Sequence, residues 1–76
     1  MNQDIDAMRQ IALAVREANG SICRLEGMSD AVFFQQALNL HEQGLIEAKF
    51  QVVQGRVTAA VLSRLTAAGH DFINSV

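Results

Sequence analysis

Apolar residues recur at helical spacing near the start of the chain. The segment from Asp4 to Ala18 therefore predicts an amphipathic helix. Asp4 is expected at its N-cap, and Asn19-Gly20 is expected to end it because both residues tolerate a left-handed backbone. The residues expected to face the core are Ile5, Met8, Ile11, Ala12 and Val15.

A second helical pattern runs from Asp30 to Gln43, with Ser29 as its N-cap and Gly44 as its end. Its apolar side is expected to pack in the core and comprises Phe33, Phe34, Ala37, Leu38 and Leu40. Its other side carries a stripe that we call the amide stripe and expect to face solvent: Val32, Gln36, Asn39 and Gln43. Between the two helices, residues 21–25 predict one brief strand.

Alternating apolar and polar residues then predict a β-hairpin. One strand is expected from Leu45 to Val53 and the other from Arg56 to Leu62, joined by a turn at Gln54-Gly55. A two-residue turn would place three apolar pairs on one face: Val52 with Val57, Phe50 with Ala59, and Ala48 with Val61.

Thr66 is expected to cap a last helix from Ala67 to Ser75, which would dock through Phe72, Ile73 and Val76. The order helix, short strand, helix, hairpin, helix predicts one α+β domain over residues 1–76, with the hairpin as the wing of a winged-helix-like fold. The expected core comprises Phe33, Leu40, Phe50, Val52, Val57 and Phe72.

Three segments resemble a small bacterial and phage winged-helix-like family of unknown function. They are the opening Asp4-Ile5-Asp6-Ala7-Met8-Arg9-Gln10-Ile11, the junction Gly44-Leu45-Ile46-Glu47-Ala48, and the close from Arg64 to Ile73 with its Leu65-Thr66-x-x-Gly69 motif. The resemblance covers nearly the whole chain. It implies a fold and an association with bacterial and mobile-element genomes, and it implies no established activity. The short stretch between Asn19 and Ser29 leaves little room for the additional helix of a full helix-turn-helix.

Composition excludes several classes of function. The chain has 76 residues, half of them hydrophobic, and a net charge of −2. Its longest apolar run, Ile11-Ala12-Leu13-Ala14-Val15, predicts neither a transmembrane helix nor a signal peptide, so we expect a soluble intracellular protein. The resemblance implies that its compartment is the bacterial cytoplasm. Cys23 is expected to be a buried small hydrophobe, and His41 and His70 to be structural. We therefore predict no catalytic residue, metal site or cofactor.

Two binding functions remain open. In favour of DNA, the amides of the amide stripe could read adenine, and Arg56 could contact a phosphate. Against DNA, the second helix carries Asp30 and Glu42 but neither Lys nor Arg, and phosphate neutralisation dominates affinity for DNA. Protein binding is therefore ranked above DNA binding, and the apolar excess of so small a chain also favours an oligomer, such as a homodimer, or a complex.

The function predicted from the sequence is that of a non-enzymatic module acting through protein–protein contacts. Given the resemblance, one concrete form is a phage or mobile-element inhibitor or adaptor of a host complex that handles nucleic acid or serves defence. The alternative is a dimeric DNA-binding regulator that uses the helix of residues 30–43 as its reader. The predicted binding surface combines the amide stripe with the hairpin tip: Val32, Gln36, Asn39, Gln43, Gln54 and Arg56.

Overall fold

The computed structural model describes residues 4–18 and 20–74, which form three helices and one antiparallel hairpin. In chain order these are α1 (Ile5–Glu17), α2 (Asp30–Glu42), β1 (Ile46–Val53), β2 (Arg56–Leu65) and α3 (Ala67–Asn74). The predicted α+β class is confirmed. The predictions that concern Asn19, Ser75 and Val76 lie outside the described residues.

The helices begin at the predicted caps. The side chain of Asp4 accepts the backbone N–H of Ala7 at 3.1 Å, and Ser29 Oγ accepts that of Val32 at 3.2 Å. Each bond satisfies one of the amides that a helix leaves unpaired at its N-terminus. Helix α2 ends one residue earlier than predicted, and Gly44 then takes a φ of 74°, a left-handed conformation that glycine adopts at little steric cost.

The third helix is tied to the start of the hairpin through Thr66. Its hydroxyl accepts the N–H of Gly69 at 3.1 Å, as a cap should, and donates to the carbonyl of Gly44 at 2.6 Å. The backbone N–H of Thr66 also donates to the carbonyl of Leu45 at 3.0 Å. The Leu-Thr-x-x-Gly motif therefore joins the end of the hairpin to the junction that precedes it.

The core lies between α1, one side of α2 and the base of the hairpin. Its largest fully buried side chains are Met8, Ile11, Phe33, Leu40 and Leu62. The prediction for Ile5 is wrong, because this residue is 48% exposed at the N-terminal end of the apolar stripe of α1. On α2, Phe33, Ala37 and Leu40 are buried as predicted, whereas Phe34 and Leu38 are only half-buried.

The turn of the hairpin is where the sequence places it. Gln54 and Gly55 have φ angles of 53° and 79°, the paired positive values of a type I′ turn. Val52 lies opposite Val57, as predicted. This turn matches the right-handed twist of the strands that it joins.

Beyond the first pair, the predicted register is wrong by one residue. Phe50 lies opposite Ala60, and Ala48 lies opposite Leu62. The cause is a β-bulge in β2, where Thr58 is an extra residue that the register pairs with no residue of β1. The shift buries Ala60 and Leu62 and leaves Val61 38% exposed.

The predicted core is correct at the base of the hairpin and wrong towards its tip. Phe33 and Leu40 are fully buried, and Phe50 and Phe72 pack half-buried against the core. Val52, however, is 58% exposed, and Val57 is half-buried outside the core cluster. The last three residues of β1, Gln51 to Val53, are all exposed.

The predicted strand at residues 21–25 is reduced to one bridge. Ile22 exchanges two backbone hydrogen bonds with Leu62, at 3.0 and 2.9 Å. The bridge places this segment beside β2, on the side away from β1. Of residues 20–29, none lies in a helix.

Candidate functional site

The centre of the amide stripe is buried, so the prediction that it faces solvent is wrong for Gln36 and Asn39. These residues are 5% and 6% exposed. Gln36 Oε1 accepts from Asn39 Nδ2 at 3.0 Å and from the backbone N–H of Asp4 at 3.1 Å. The side of α2 that was expected to be free therefore packs against the start of α1.

The ends of the amide stripe remain on the surface. Val32 is 39% exposed, and Gln43 is exposed just beyond the end of α2. Because the two residues between them are buried, Val32 and Gln43 do not belong to one continuous surface. The amide stripe therefore does not form the single recognition surface that its spacing predicts.

The hairpin tip is exposed, as expected, and it borders a groove. Gln54 and Arg56 both face solvent. Arg56 also lines a groove of about 470 Å³ between the tip and α2, which we call the tip groove. The residues lining it are Ala31, Phe34, Gln35, Leu38, Gly55, Arg56 and Val57.

The tip groove is mainly apolar. Ala31, Phe34 and Leu38 follow one another at spacings of three and four residues and so share a side of α2. Val57 contributes from the opposite wall. Val52 pairs with Val57, and directly opposed residues of an antiparallel pair share one face of the sheet. The 58% exposed side chain of Val52 therefore extends the apolar surface beyond the tip groove.

The sequence contains a signal for this surface in the width of the apolar side of α2. Phe34 and Leu38 were assigned to the core together with Phe33, Ala37 and Leu40. Five apolar residues over that arc of α2 are more than its contact with the core covers, and the two at the edge are left half-buried. An apolar stripe wider than the core requires indicates a second contact surface.

Charge is distributed unevenly around the tip groove. Among the described residues that line it, Arg56 is the one with a formal charge. Helix α2 carries Asp30 and Glu42, both exposed, and neither Lys nor Arg. A carboxylate on a bound partner would therefore find its counter-charge at Arg56.

A pair of oppositely charged residues lies on the outer face of the hairpin base. Arg64 donates to the two carboxylate oxygens of Glu47, from Nε at 2.9 Å and from Nη2 at 3.1 Å. Hydrogen bonding to Arg64, supported by its charge, lowers the pKa of Glu47 below its ordinary value and raises that of Arg64. Both side chains are exposed, so the pair orients the two residues more than it stabilises the fold.

The side chains considered for catalysis lie apart from the tip groove. Cys23 is exposed, so its expected burial is wrong; it borders a hollow of about 250 Å³. His41 is exposed, with its ring centroid 5.2 Å from that of Phe50. Within residues 4–18 and 20–74, no three His, Cys, Asp or Glu side chains lie close enough together to hold a metal ion.

A further hollow of about 540 Å³ lies in the loop before α2. Its lining mixes Arg24 with Glu26 and Asp30, so it presents no single sign of charge to a ligand. As for membranes, no helix in the part of the chain that the structure describes is long and apolar enough to span one.

Comparison with known families assigns the chain to one of them. A family model described as "Hypothetical protein (DUF2513)" matches residues 2–76, and the chain belongs to this family of unknown function. The resemblance to a small family of unknown function is thus confirmed. No curated protein and no solved structure matches the chain.

Proposed function

We propose that this chain is a non-enzymatic, winged-helix-like module that acts by binding another protein in the tip groove. The observation that carries the proposal is the tip groove itself. It combines apolar side chains of α2 with Arg56 and Val57 at the hairpin tip. Concave apolar surface with few polar groups is typical of binding sites.

The winged-helix part of the proposal is supported by connectivity. In this layout a helix leads directly into a hairpin, as α2 leads into β1 and β2. The bridge between Ile22 and Leu62 adds the start of a third strand beside β2. With residues 20–29 outside any helix, the additional helix of a helix-turn-helix has no counterpart there.

The tip groove suggests the chemistry of the partner. Phe34, Leu38 and Val57 would pack against an apolar side chain, and Arg56 would pair with a carboxylate beside it. Arginine and aromatic residues are enriched among the side chains that contribute most to protein interfaces. We therefore propose as partner a protein segment that presents an apolar residue next to an Asp or Glu.

The biological form that we propose is an inhibitor or adaptor of a host complex, encoded by a phage or a mobile element. An exposed apolar groove suits this role, because it can bind a functional surface of a larger complex. A complex that handles nucleic acid or serves in defence fits the proposal.

The DNA-binding alternative loses support because two of its three amides are buried. Its candidates for reading bases are Gln36, Asn39 and Gln43, of which Gln36 and Asn39 are buried and Gln43 is exposed. The exposed side of α2 carries acidic residues, which repel phosphates. We accordingly expect no more than nonspecific affinity, weaker than about 10⁻⁶ M at physiological salt.

The experiment begins with affinity capture from the source cells and continues with the purified partner in calorimetry. Leu38→Glu places a charge in the tip groove and should abolish binding. Val32→Glu makes the same kind of change on the same helix, outside the tip groove, and should leave binding intact. If Val32→Glu abolished binding and Leu38→Glu did not, the tip groove would not be the site. Nanomolar, sequence-dependent binding to duplex DNA would instead support a DNA-binding regulator.

A further inference from the structure

The outer edge of β1 is a regular strand edge with no strand beside it among the described residues. The sheet contains β1 and β2, and β1 is eight residues long. Both irregularities of the pairing place the extra residue, Thr58 or Ser63, in β2, so β1 itself is not interrupted. An uninterrupted edge is a template for pairing with another strand, and proteins commonly disrupt such edges with bulges or proline.

The backbone of Ala48 points towards this edge. Ala48 lies opposite Leu62, and Leu62 uses both its N–H and its C=O to bond Ile22 on the far side of β2. The pair of Ala48 and Leu62 is therefore a non-hydrogen-bonded pair of the antiparallel ladder. In such a pair, the N–H and C=O of each residue point away from the other strand. Ala48 thus offers one donor and one acceptor at the outer edge.

The side chains flanking Ala48 make this edge complementary to itself. If a two-fold axis passes beside Ala48, Ala48 lies opposite Ala48 of the second copy. Glu47 of each copy then lies opposite Lys49 of the other, so that two pairs of unlike charge form. A register centred on Glu47 or on Lys49 would instead oppose like charges. Directly opposed charges of opposite sign stabilise a strand pair, and like charges destabilise it. The register centred on Ala48 therefore pairs the outward-pointing N–H and C=O groups and also places unlike charges opposite each other.

We propose that two copies of this chain associate through β1 in this register and form a four-stranded antiparallel sheet. Glu47, already held by Arg64, would lie between that guanidinium and Lys49 of the second copy. On the other face of the sheet, Phe50 would lie beside Ile46 of the second copy, both on the side of the core. This inference goes beyond the proposed function, because the tip groove takes no part in it.

Charge exchange between two variants tests the register. Glu47→Lys makes positions 47 and 49 both positive, and Lys49→Glu makes both negative. Sedimentation equilibrium should find the unmodified chain dimeric, and each variant alone should have a dimer dissociation constant at least about tenfold higher. An equimolar mixture of the two variants should restore the dimer, because each then opposes unlike charges. The restored dimer also shows that both variants are folded.

Two further measurements complete the test. Amide exchange followed by NMR should show the N–H of Ala48 gaining protection as concentration rises. Arg56→Glu, a matched charge reversal at the hairpin tip, should leave the dimer intact. A chain that stays monomeric up to about 1 mM would overturn the inference. So would dimers that persist in both charge variants, or a dimer that Arg56→Glu dissociates.

Discussion

Asn39 and Gln36 form a buried hydrogen bond of 3.0 Å between their side-chain amides, one turn apart on α2. The Gln36 oxygen also accepts the backbone N–H of Asp4, the N-cap of α1. A residue pair that looks like a solvated polar surface in the sequence therefore joins two helices. Because both side chains are almost fully buried, this contact bears on stability more than on recognition.

The first prediction follows from that contact. Gln36→Ala should destabilise the fold by about 1–3 kcal/mol, since it leaves the buried Asn39 amide without this acceptor. Asn39→Ala should destabilise it in the same direction. Gln43→Ala, at an exposed position after α2, should stay within about 0.5 kcal/mol of the unmodified chain. Urea unfolding followed by circular dichroism measures all three, and equal midpoints would contradict the prediction.

Two phenylalanines allow a matched comparison of burial. Phe33 is fully buried, so Phe33→Ala should cost about 3–5 kcal/mol, enough to unfold much of a domain of this size. Phe50 is half-buried beside His41, so Phe50→Ala should cost clearly less. Thermal unfolding of both variants decides the order. A larger loss for Phe50→Ala would show that the core extends further into the hairpin.

Local signals predicted more of the fold than of the site. Caps and turns depend on a few neighbouring residues, and Asp4, Ser29, Thr66 and the Gln54-Gly55 turn behave as predicted. The side on which α2 packs depends on where α1 crosses it, and no periodicity within α2 encodes that. The amide stripe was therefore assigned to solvent although its centre is buried.

The register of the hairpin failed for a similar reason. A two-residue turn sets the first pair, and the bulge at Thr58 then shifts every pair beyond it. Thr58 does not differ in kind from other strand residues, so the sequence alone did not indicate the bulge. The exposure of Val52 likewise depends on tertiary packing, because alternation along a strand does not show which of its apolar residues the core covers.

Gly69 permits a close approach that a larger residue would prevent. A Cβ at this position would overlap the backbone carbonyl of Leu45, which accepts the N–H of Thr66. Gly69→Ala should therefore push α3 away from the hairpin and cost about 1–3 kcal/mol or more. Gly20→Ala is the control, because nothing lies within 4 Å of the added methyl group. If the denaturant midpoints of the two variants shifted equally, the result would contradict this account.

Glu47 should make the free energy of unfolding slightly dependent on pH. Its pKa lies below the ordinary value of 4.5 because Arg64 hydrogen-bonds its charged form. A lowered folded-state pKa contributes stability above the unfolded pKa, and this stability is lost as the pH falls through the folded pKa. The stability difference between the unmodified chain and Glu47→Gln should therefore be present at neutral pH and vanish in acid. Unfolding of dilute protein measures it, and a difference independent of pH would rule out this origin.

If the partner binds in the tip groove, substitutions at Arg56 and Asn39 should have different effects, although both residues belong to the binding surface predicted from the sequence. Arg56→Ala removes the charge that we assign to pairing with a partner carboxylate, and the side chain that it removes is exposed. It should weaken binding to the partner by at least about 1 kcal/mol while leaving the unfolding midpoint unchanged. Asn39→Ala should do the reverse, lowering the midpoint without weakening binding where the variant is folded. Calorimetry paired with thermal unfolding checks both.

The opposite result would contradict this assignment. If Asn39→Ala weakened binding while the variant remained fully folded, and Arg56→Ala did not weaken it, recognition would lie on the side of α2 that packs against α1. The tip groove would then be the wrong site.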